Sequence, residues 1–322
     1  MNPGLHDALH ALGPQAGHIL DLWRIFLGVC TAVFAAVMVV LWLAVRRAPR
    51  IHTPEPPDLG TVNVPEPRLS RPVTMAVAAS VVLLLVLLAA SVFTDRALAR
   101  LPLNRAINIE VTAHQWWWTV KYKNGPVSET FETANEIHVP VGQPVLIELK
   151  SSDVIHSLWV PSLAGKRDLI PGRTVTIAFQ ADHPGIYRGQ CAEFCGFQHA
   201  FMAFEVQAQP PAEFEQWRQA QLQPAPEPTD AQARRGKQLF QSIQCAMCHA
   251  VQGTIAQAHK APDLTHVASR RTIAAGTLPN TAENLASWIT DPHQHKPGVN
   301  MPASTMSSED LAALVAYLGT LK

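Results

Sequence analysis

Two runs without a charged residue, Ile25 to Val45 (IFLGVCTAVFAAVMVVLWLAV) and Val73 to Thr94 (VTMAVAASVVLLLVLLAASVFT), constrain this chain more than any other feature. Each is long enough to cross the hydrocarbon core of a bilayer, where a single segment can satisfy its own backbone only as a helix. A cleaved signal sequence has a shorter apolar core, and a second span does not normally follow it so closely. The sequence therefore predicts a retained two-helix transmembrane hairpin within residues 1–104. Cys30, inside the first run, reads as a packing residue. The loop between the runs carries Arg46, Arg47, Arg50, Arg68 and Arg71 against Glu55, Asp58 and Glu66. By the positive-inside bias this loop is cytoplasmic and both termini lie outside, although Arg96, Arg100 and Arg105 after the second run dilute the contrast.

With 322 residues the chain has room for further domains, and 25 Lys and Arg balance 25 Asp and Glu, which argues against a nucleic-acid partner. Residues 105–207 have strand character. INIEVTAHQWWWTVKY, NEIHVPVGQPVLIELKSS, TVTIAFQA and AFMAFEVQA alternate or run apolar between Gly and Pro turns. In HQWWW, alternation along a strand sends Trp116 and Trp118 to one face and Trp117 to the other.

The same stretch contains CAEFCGFQHAFM. Here Cys191 and Cys195 are four apart, His199 is four further on and Met202 three beyond that. Thiolate, imidazole and thioether are donors that copper prefers, and a mononuclear blue-copper site uses only one thiolate. The second cysteine asks for a second metal, and a binuclear centre needs another histidine, for which His156 is the candidate. A zinc site or a Cys191–Cys195 disulfide are the alternatives for the same residues.

Residues 152–204, from SDVIHSLWVP to CAEFCGFQHAFMAF, resemble the CuA domain of cytochrome c oxidase subunit II. The resemblance implies a cupredoxin-like Greek-key barrel with its metal ligands on loops at one end. It implies that Cys191 and Cys195 bridge two coppers, that His156 and His199 each take one, and that Met202 is a weak ligand. It also implies that the Glu193 carbonyl serves copper, while its carboxylate helps bind Mg2+ at the junction with subunit I. Trp116 matches the residue that receives electrons in that family. Asp153 and Arg173 are the neighbours expected to support the ligands.

After Val206 the composition shifts. QAQPPAEFEQWRQAQLQPAPEPTD holds a short helical patch followed by spaced prolines, which predicts a semi-rigid connector over 208–229. A new domain, 230–322, contains CAMCH at 245–249, the pattern in which Cys245 and Cys248 form thioethers to haem and His249 binds iron. A thioredoxin-like pair or half a zinc site are the other readings of such a motif, but the domain holds no further cysteine. Met301 in KPGVNMPA is the expected sixth ligand, preferred over Met306, which precedes the helix start SSEDLAAL. His259, His266, His293 and His295 read as surface or supporting residues. Gly236, Phe240, PDLTHVASR and Tyr317 resemble the all-α class I c-type cytochromes.

Taken whole, the chain resembles subunit II of the caa3-type oxidases, in which a cytochrome c domain follows the CuA domain. That implies a multi-pass protein of the bacterial inner membrane with its soluble domains on the periplasmic face. Its partners would be oxidase subunit I, other oxidase subunits, the lipid bilayer and cytochrome c or another electron donor. Electrons would pass from haem c to CuA and on to subunit I, where O2 is reduced to water. One departure stands out: many oxidases carry a glutamate near the start of the second span, where SRPVTMAVAAS has none. The alternatives are the electron-entry subunit of a CuA-type nitric oxide reductase and a membrane-anchored shuttle with no enzyme of its own.

Overall fold

The computed structural model describes residues 6–48 and 67–322, with the side chains of 67–69 excepted. Two compact units result, one made of the chain up to Gly17 together with Leu101–Lys322, the other of His18–Arg100.

The smaller unit is built from two long helices, α1 (Pro14–Arg47) and α2 (Pro67–Leu98). Both pass the length and hydropathy test for a membrane span, and none of either apolar window is buried. The helices outrun the charge-free cores at both ends, since a helix continues into the headgroup region once its polar ends can reach water. At one such end the Arg46 guanidinium lies 3.9 Å over the Trp42 ring, an amphipathic pair suited to an interface. Cys30 is exposed on α1, so it faces outward and does not fill a gap between helices. Of the loop charges, Arg50, Glu55, Asp58 and Glu66 and the Arg68 side chain lie outside the described residues.

In the larger unit, ten strands form two five-stranded sheets, ordered β3-β2-β1-β5-β8 and β4-β10-β9-β6-β7, with β3 at Phe131–Ala134 and β7 at Arg167–Leu169. In β1 (Ile107–His114) every second residue, Ile107, Ile109, Val111 and Ala113, is buried, and β5 (Val145–Ser151) repeats the pattern through Val145, Ile147 and Leu149. These strands run parallel, with Ile109 opposite Ile147, and so place their apolar sides in one layer. On the solvent side Glu110 accepts from Lys123 and Lys150 at 2.5 and 2.6 Å. β2 (Trp117–Tyr122) pairs back on β1 with Trp117 opposite His114. Trp116 therefore lies in the hairpin turn and not in the strand, and strand alternation governs only Trp117 and Trp118.

β4 (Glu136–Pro140) is buried on both sides. Ile137 and Val139 face the barrel core, while the His138 ring stacks on Trp217 at 3.9 Å. Trp217 belongs to α3 (Pro211–Gln221), the helical patch predicted within the connector, and buried Phe214 holds that helix on the barrel. Beyond it the Ala225 amide donates to the Gln252 carbonyl at 3.1 Å, and a His266 ring nitrogen lies 3.1 Å from the Gln223 carbonyl. The connector is thus fastened to the domain on either side of it.

The C-terminal domain is all-α apart from a small hairpin, with α4 (Ala231–Ser242), α5 (Ala282–Thr290), α6 (Pro292–His295) and α7 (Ser308–Leu318). Asp230, Thr281 and Ser307 cap α4, α5 and α7 through backbone amides, the last of them at the helix start expected in SSEDLAAL. α4 crosses α7 at Gly236, where an added Cβ would fall 2.0 Å from the Ala313 carbonyl oxygen. Phe240 and Tyr317 fill the space beside that contact, ring to ring at 5.8 Å. The domain meets the barrel along polar contacts: Ala203 N donates to Ala275 O at 3.0 Å, and Arg271 Nε lies 3.2 Å from Glu205 Oε2.

Because backbone cannot yield as a flexible side chain would, Gly236→Ala is expected to cost the C-terminal domain about 3 kcal/mol. Thermal unfolding followed at its haem or helical signal checks this, and an unshifted melt would contradict the close crossing.

Candidate functional site

The copper loop runs from the end of β9 (Gly185–Cys191) to the start of β10 (Ala203–Gln209). Antiparallel pairing of these strands, closed by Cys191 N donating to Met202 O at 2.9 Å, brings Cys191 and Met202 to one end of the barrel. His156 opens β6 (His156–Trp159), whose Leu158 pairs with Cys191, so the remote histidine arrives by sheet register. Ligand atoms of His156, Cys191 and Cys195 lie within 4.8 Å of one another, all buried. His156 Nδ1 is 3.9 Å from Cys191 Sγ, and His199 Nδ1 is 3.6 Å from Cys195 Sγ. Met202 Sδ sits 3.8 Å from Cys195 Sγ, and the Glu193 carbonyl is 3.1 Å from Cys191 Sγ. The Glu193 carboxylate instead points toward Lys166, 3.7 Å away.

The electrostatics of this cluster favour a cation. The hydrogen bond from the Cys195 thiol, with His156 adding to it against burial, drives the Cys191 thiol far below its ordinary value. Cys191, holding the Cys195 thiol proton in that hydrogen bond, and burial push Cys195 far up. Two thiolates this close cannot both ionise unless positive charge lies between them, which is what a pair of soft metal ions supplies. Both cysteines are free thiols. Burial works against a charged His156, but Cys191 and Asp153 outweigh it and raise its pKa. Asp153 Oδ1 lies 2.7 Å from His156 Nε2, which fixes the ring so that Nδ1 is left for metal. Burial would raise Asp153, yet the His156 ring and the backbone amides of Val154 and Gln115 hold it below the usual carboxylate range. Arg173 is exposed in the turn before β8 (Val175–Phe179) and does not share this arrangement.

Sequence reasoning missed Gln115. Its Nε2 and Trp116 Nε1 both donate to the Cys195 carbonyl, at 2.8 and 2.9 Å. The signal was present in HQWWW, but only the β1–β2 turn shows that these two neighbours reach the copper loop.

In the C-terminal domain a cavity of about 590 Å³ is lined by Cys245, Cys248, His249 and Met301, together with Trp116 and Trp117 of the barrel. The His249 Nδ1 is 2.7 Å from the Pro262 carbonyl, leaving Nε2 for an iron. Burial lowers the His249 pKa against the pull of that carbonyl, so the ring is neutral, as a ligand must be. Met306 packs in the domain core, whereas Met301 lines the cavity. The donor set and the size of the cavity fit a haem. Among the remaining histidines, His266 bridges the Lys322 and Gln223 carbonyls, His295 pairs with Ser287, and His259 lies near Glu132.

Two helices long and apolar enough to cross a membrane, a cupredoxin-like barrel with a thiolate and imidazole cluster, and a helical domain with a CxxCH cavity make up the described chain. Residues 124–209 match the family "Cytochrome C oxidase subunit II, periplasmic domain", and residues 233–322 match "Cytochrome c". Cytochrome c oxidase subunit 2 of Alkalihalophilus pseudofirmus is 43% identical over 68% of this chain and 62% of its own length. That of Bacillus sp. strain PS3 is 32% identical over 75% of this chain and 72% of its own. The periplasmic domain of subunit II of cytochrome oxidase from Bradyrhizobium japonicum is 32% identical, covering 36% of this chain and 92% of that one at a TM-score of 0.34. The chain belongs to the cytochrome c oxidase subunit II family, in a form that carries a cytochrome c domain.

Cys195→Ser removes one sulfur of the pair, and copper bound to the purified chain is expected to fall by more than about tenfold. Metal analysis with EPR checks this, and wild-type copper content in the variant would exclude a bridging role. Met301→Leu should keep the covalently attached haem but lose the low-spin spectrum that a thioether ligand gives. An unchanged optical spectrum would move the sixth ligand elsewhere.

Proposed function

We propose that this chain is the electron-entry subunit of a haem-copper terminal oxidase, taking electrons at haem c and delivering them through a binuclear CuA centre to subunit I. When bound, the haem and the copper pair supply one-electron redox chemistry, and the residues of the chain hold, orient and insulate them. Cys245 and Cys248 would hold the haem covalently, and His249 and Met301 would supply nitrogen and sulfur donors to its iron. A haem held by both donors would supply one-electron transfer without binding a substrate. Cys191, Cys195, His156, His199, Met202 and the Glu193 carbonyl form the copper shell.

One observation carries the reading. The Trp116 indole lines the haem cavity and donates its N–H to the Cys195 carbonyl, and it is only 7% exposed. A single buried side chain thereby touches both candidate cofactor sites. In the resemblance Trp116 receives electrons from a separate donor protein. Here the donor beside it is the haem domain of the same chain, so the external donor would meet that domain instead. Tethering replaces an encounter between molecules by a local event at high effective concentration.

Phe194 and Phe197 project from the copper loop at 77% and 89% exposure. Paired exposed aromatics are the kind of surface that a protein partner covers, which supports docking of the loop on other oxidase subunits. The Glu193 carboxylate on the same loop would be available to Mg2+ at that junction. With α1 and α2 in the bacterial inner membrane, both cofactor domains would face the periplasm.

Photoreduction of haem c in the full chain should be followed by electron arrival at copper, and Trp116→Phe should slow that step at least ~tenfold while leaving both spectra intact. Unchanged kinetics would remove Trp116 from the route. Purified with its membrane neighbours, the chain should carry haem a beside haem c. An assembly with b-type haems only would replace O2 by nitric oxide as the acceptor, and activity of the chain alone toward all its redox partners would reduce it to a shuttle.

A further inference from the structure

Lys296 follows α6 in the C-terminal domain and is 1% exposed. Its Nζ donates to the carbonyl oxygens of Phe201 at 2.9 Å, Trp116 at 3.3 Å and Ala274 at 3.3 Å. An ammonium has three protons to place, and these acceptors account for all of them. Two belong to the barrel, one in the copper loop and one in the β1–β2 turn, while the third belongs to the domain of Lys296 itself. Burying a lysine is costly unless its donors are met, and a role confined to the C-terminal fold would not draw acceptors from another domain.

Other contacts surround this point. Asn300 Nδ2 donates to Gln115 O at 3.0 Å, Gln198 donates to Pro297 O, and Ala203 N donates to Ala275 O at 3.0 Å. Lys296 differs from them in placing a cation at the centre, and a buried charged donor fixes the register of an interface more strictly than neutral contacts do. Burial lowers its pKa to about 8, against an opposing pull from Cys195, so the ammonium keeps its proton at neutral pH. Three carbonyls converging from different segments suit the compact ammonium better than a planar guanidinium.

We propose that Lys296 is a docking latch, a positioning residue that holds the C-terminal domain on the copper barrel with the cavity closed over Trp116. Its importance for electron transfer rests on the function proposed above, whereas the docking itself does not.

The test uses hydrogen–deuterium exchange at residue resolution on the full, cofactor-loaded chain in lipid nanodiscs, comparing wild type with Lys296→Met. Three amides are read. Ala203 N reports the interface, Cys191 N (to Met202 O) reports the barrel, and Ala268 N (to Leu321 O) reports the C-terminal fold. Opening of the interface should speed exchange at Ala203 at least ~tenfold, the equivalent of one lost charge-assisted hydrogen bond, with the other two unchanged. The relaxation of the copper EPR signal by ferric haem should weaken in parallel. Unchanged exchange at Ala203 would overturn the latch, and so would equal acceleration of all three amides, which would mark Lys296 as a general structural residue. If Lys296→Met does not fold, Lys296→Gln, which keeps two of the donors, is expected to give a smaller rise confined to Ala203, and no rise there would overturn the proposal. Copper and haem content are measured on the wild type first. Their absence would defeat the proposed function, while the exchange comparison would still decide the docking.

Discussion

The Cys195 carbonyl is the point on which the larger unit depends. It accepts from Gln115 Nε2 and Trp116 Nε1, and these two donors tie the copper loop to the turn between β1 and β2. Gln115 is held in turn by its own amide, which donates to Asp153 Oδ2 at 2.7 Å, while Asp153 orients His156. One path of hydrogen bonds thus links the Cys195 loop, the Trp116 indole and the His156 imidazole, which come from separate parts of the sequence. Trp116, Cys195 and His156 in this path are buried while Asp153 reaches the surface, and satisfied hydrogen bonds among buried groups hold a site rigid.

The same turn also forms a wall of the C-terminal cavity, so the barrel and the helical domain share a surface at Trp116 and Trp117. Charged pairs also cross between the two domains. Arg271 meets Glu205, and Arg270 approaches buried Glu136 at 3.9 Å. Contacts of this type specify a pose through geometry and charge, since much is lost when a buried donor or charge is left unmatched. The connector contributes by being fastened at both ends, α3 to the barrel and Gln223–Ala225 to the helical domain.

Much was legible in the sequence. The span positions follow from the absence of charge over two long runs, and the strand segments follow from alternation and turns. The candidate copper and haem donors stand out by their chemistry at fixed spacing, in CAEFCGFQHAFM and CAMCH. Other elements were not legible for definite reasons. Trp116 falls in a turn, where the alternation rule has no force. Arg173 looks like a supporting residue by its nearness in sequence to the motif, but it lies in an exposed turn. Lys296 is an ordinary charged residue in HKPGVNMP, and nothing local shows that three carbonyls from distant segments converge on it.

By itself the sequence determined two helices long and apolar enough to cross a membrane, the candidate donor sets and the order of the domains, because each is fixed by local composition or by motifs a few residues long. Tertiary structure alone decided that His156 joins the cysteines, that Trp116 lies between the Cys195 loop and the C-terminal cavity, and that carbonyls of two domains converge on Lys296. Those relations depend on strand register and on the packing of one folded surface against another, and both arise from contacts between residues far apart in the chain.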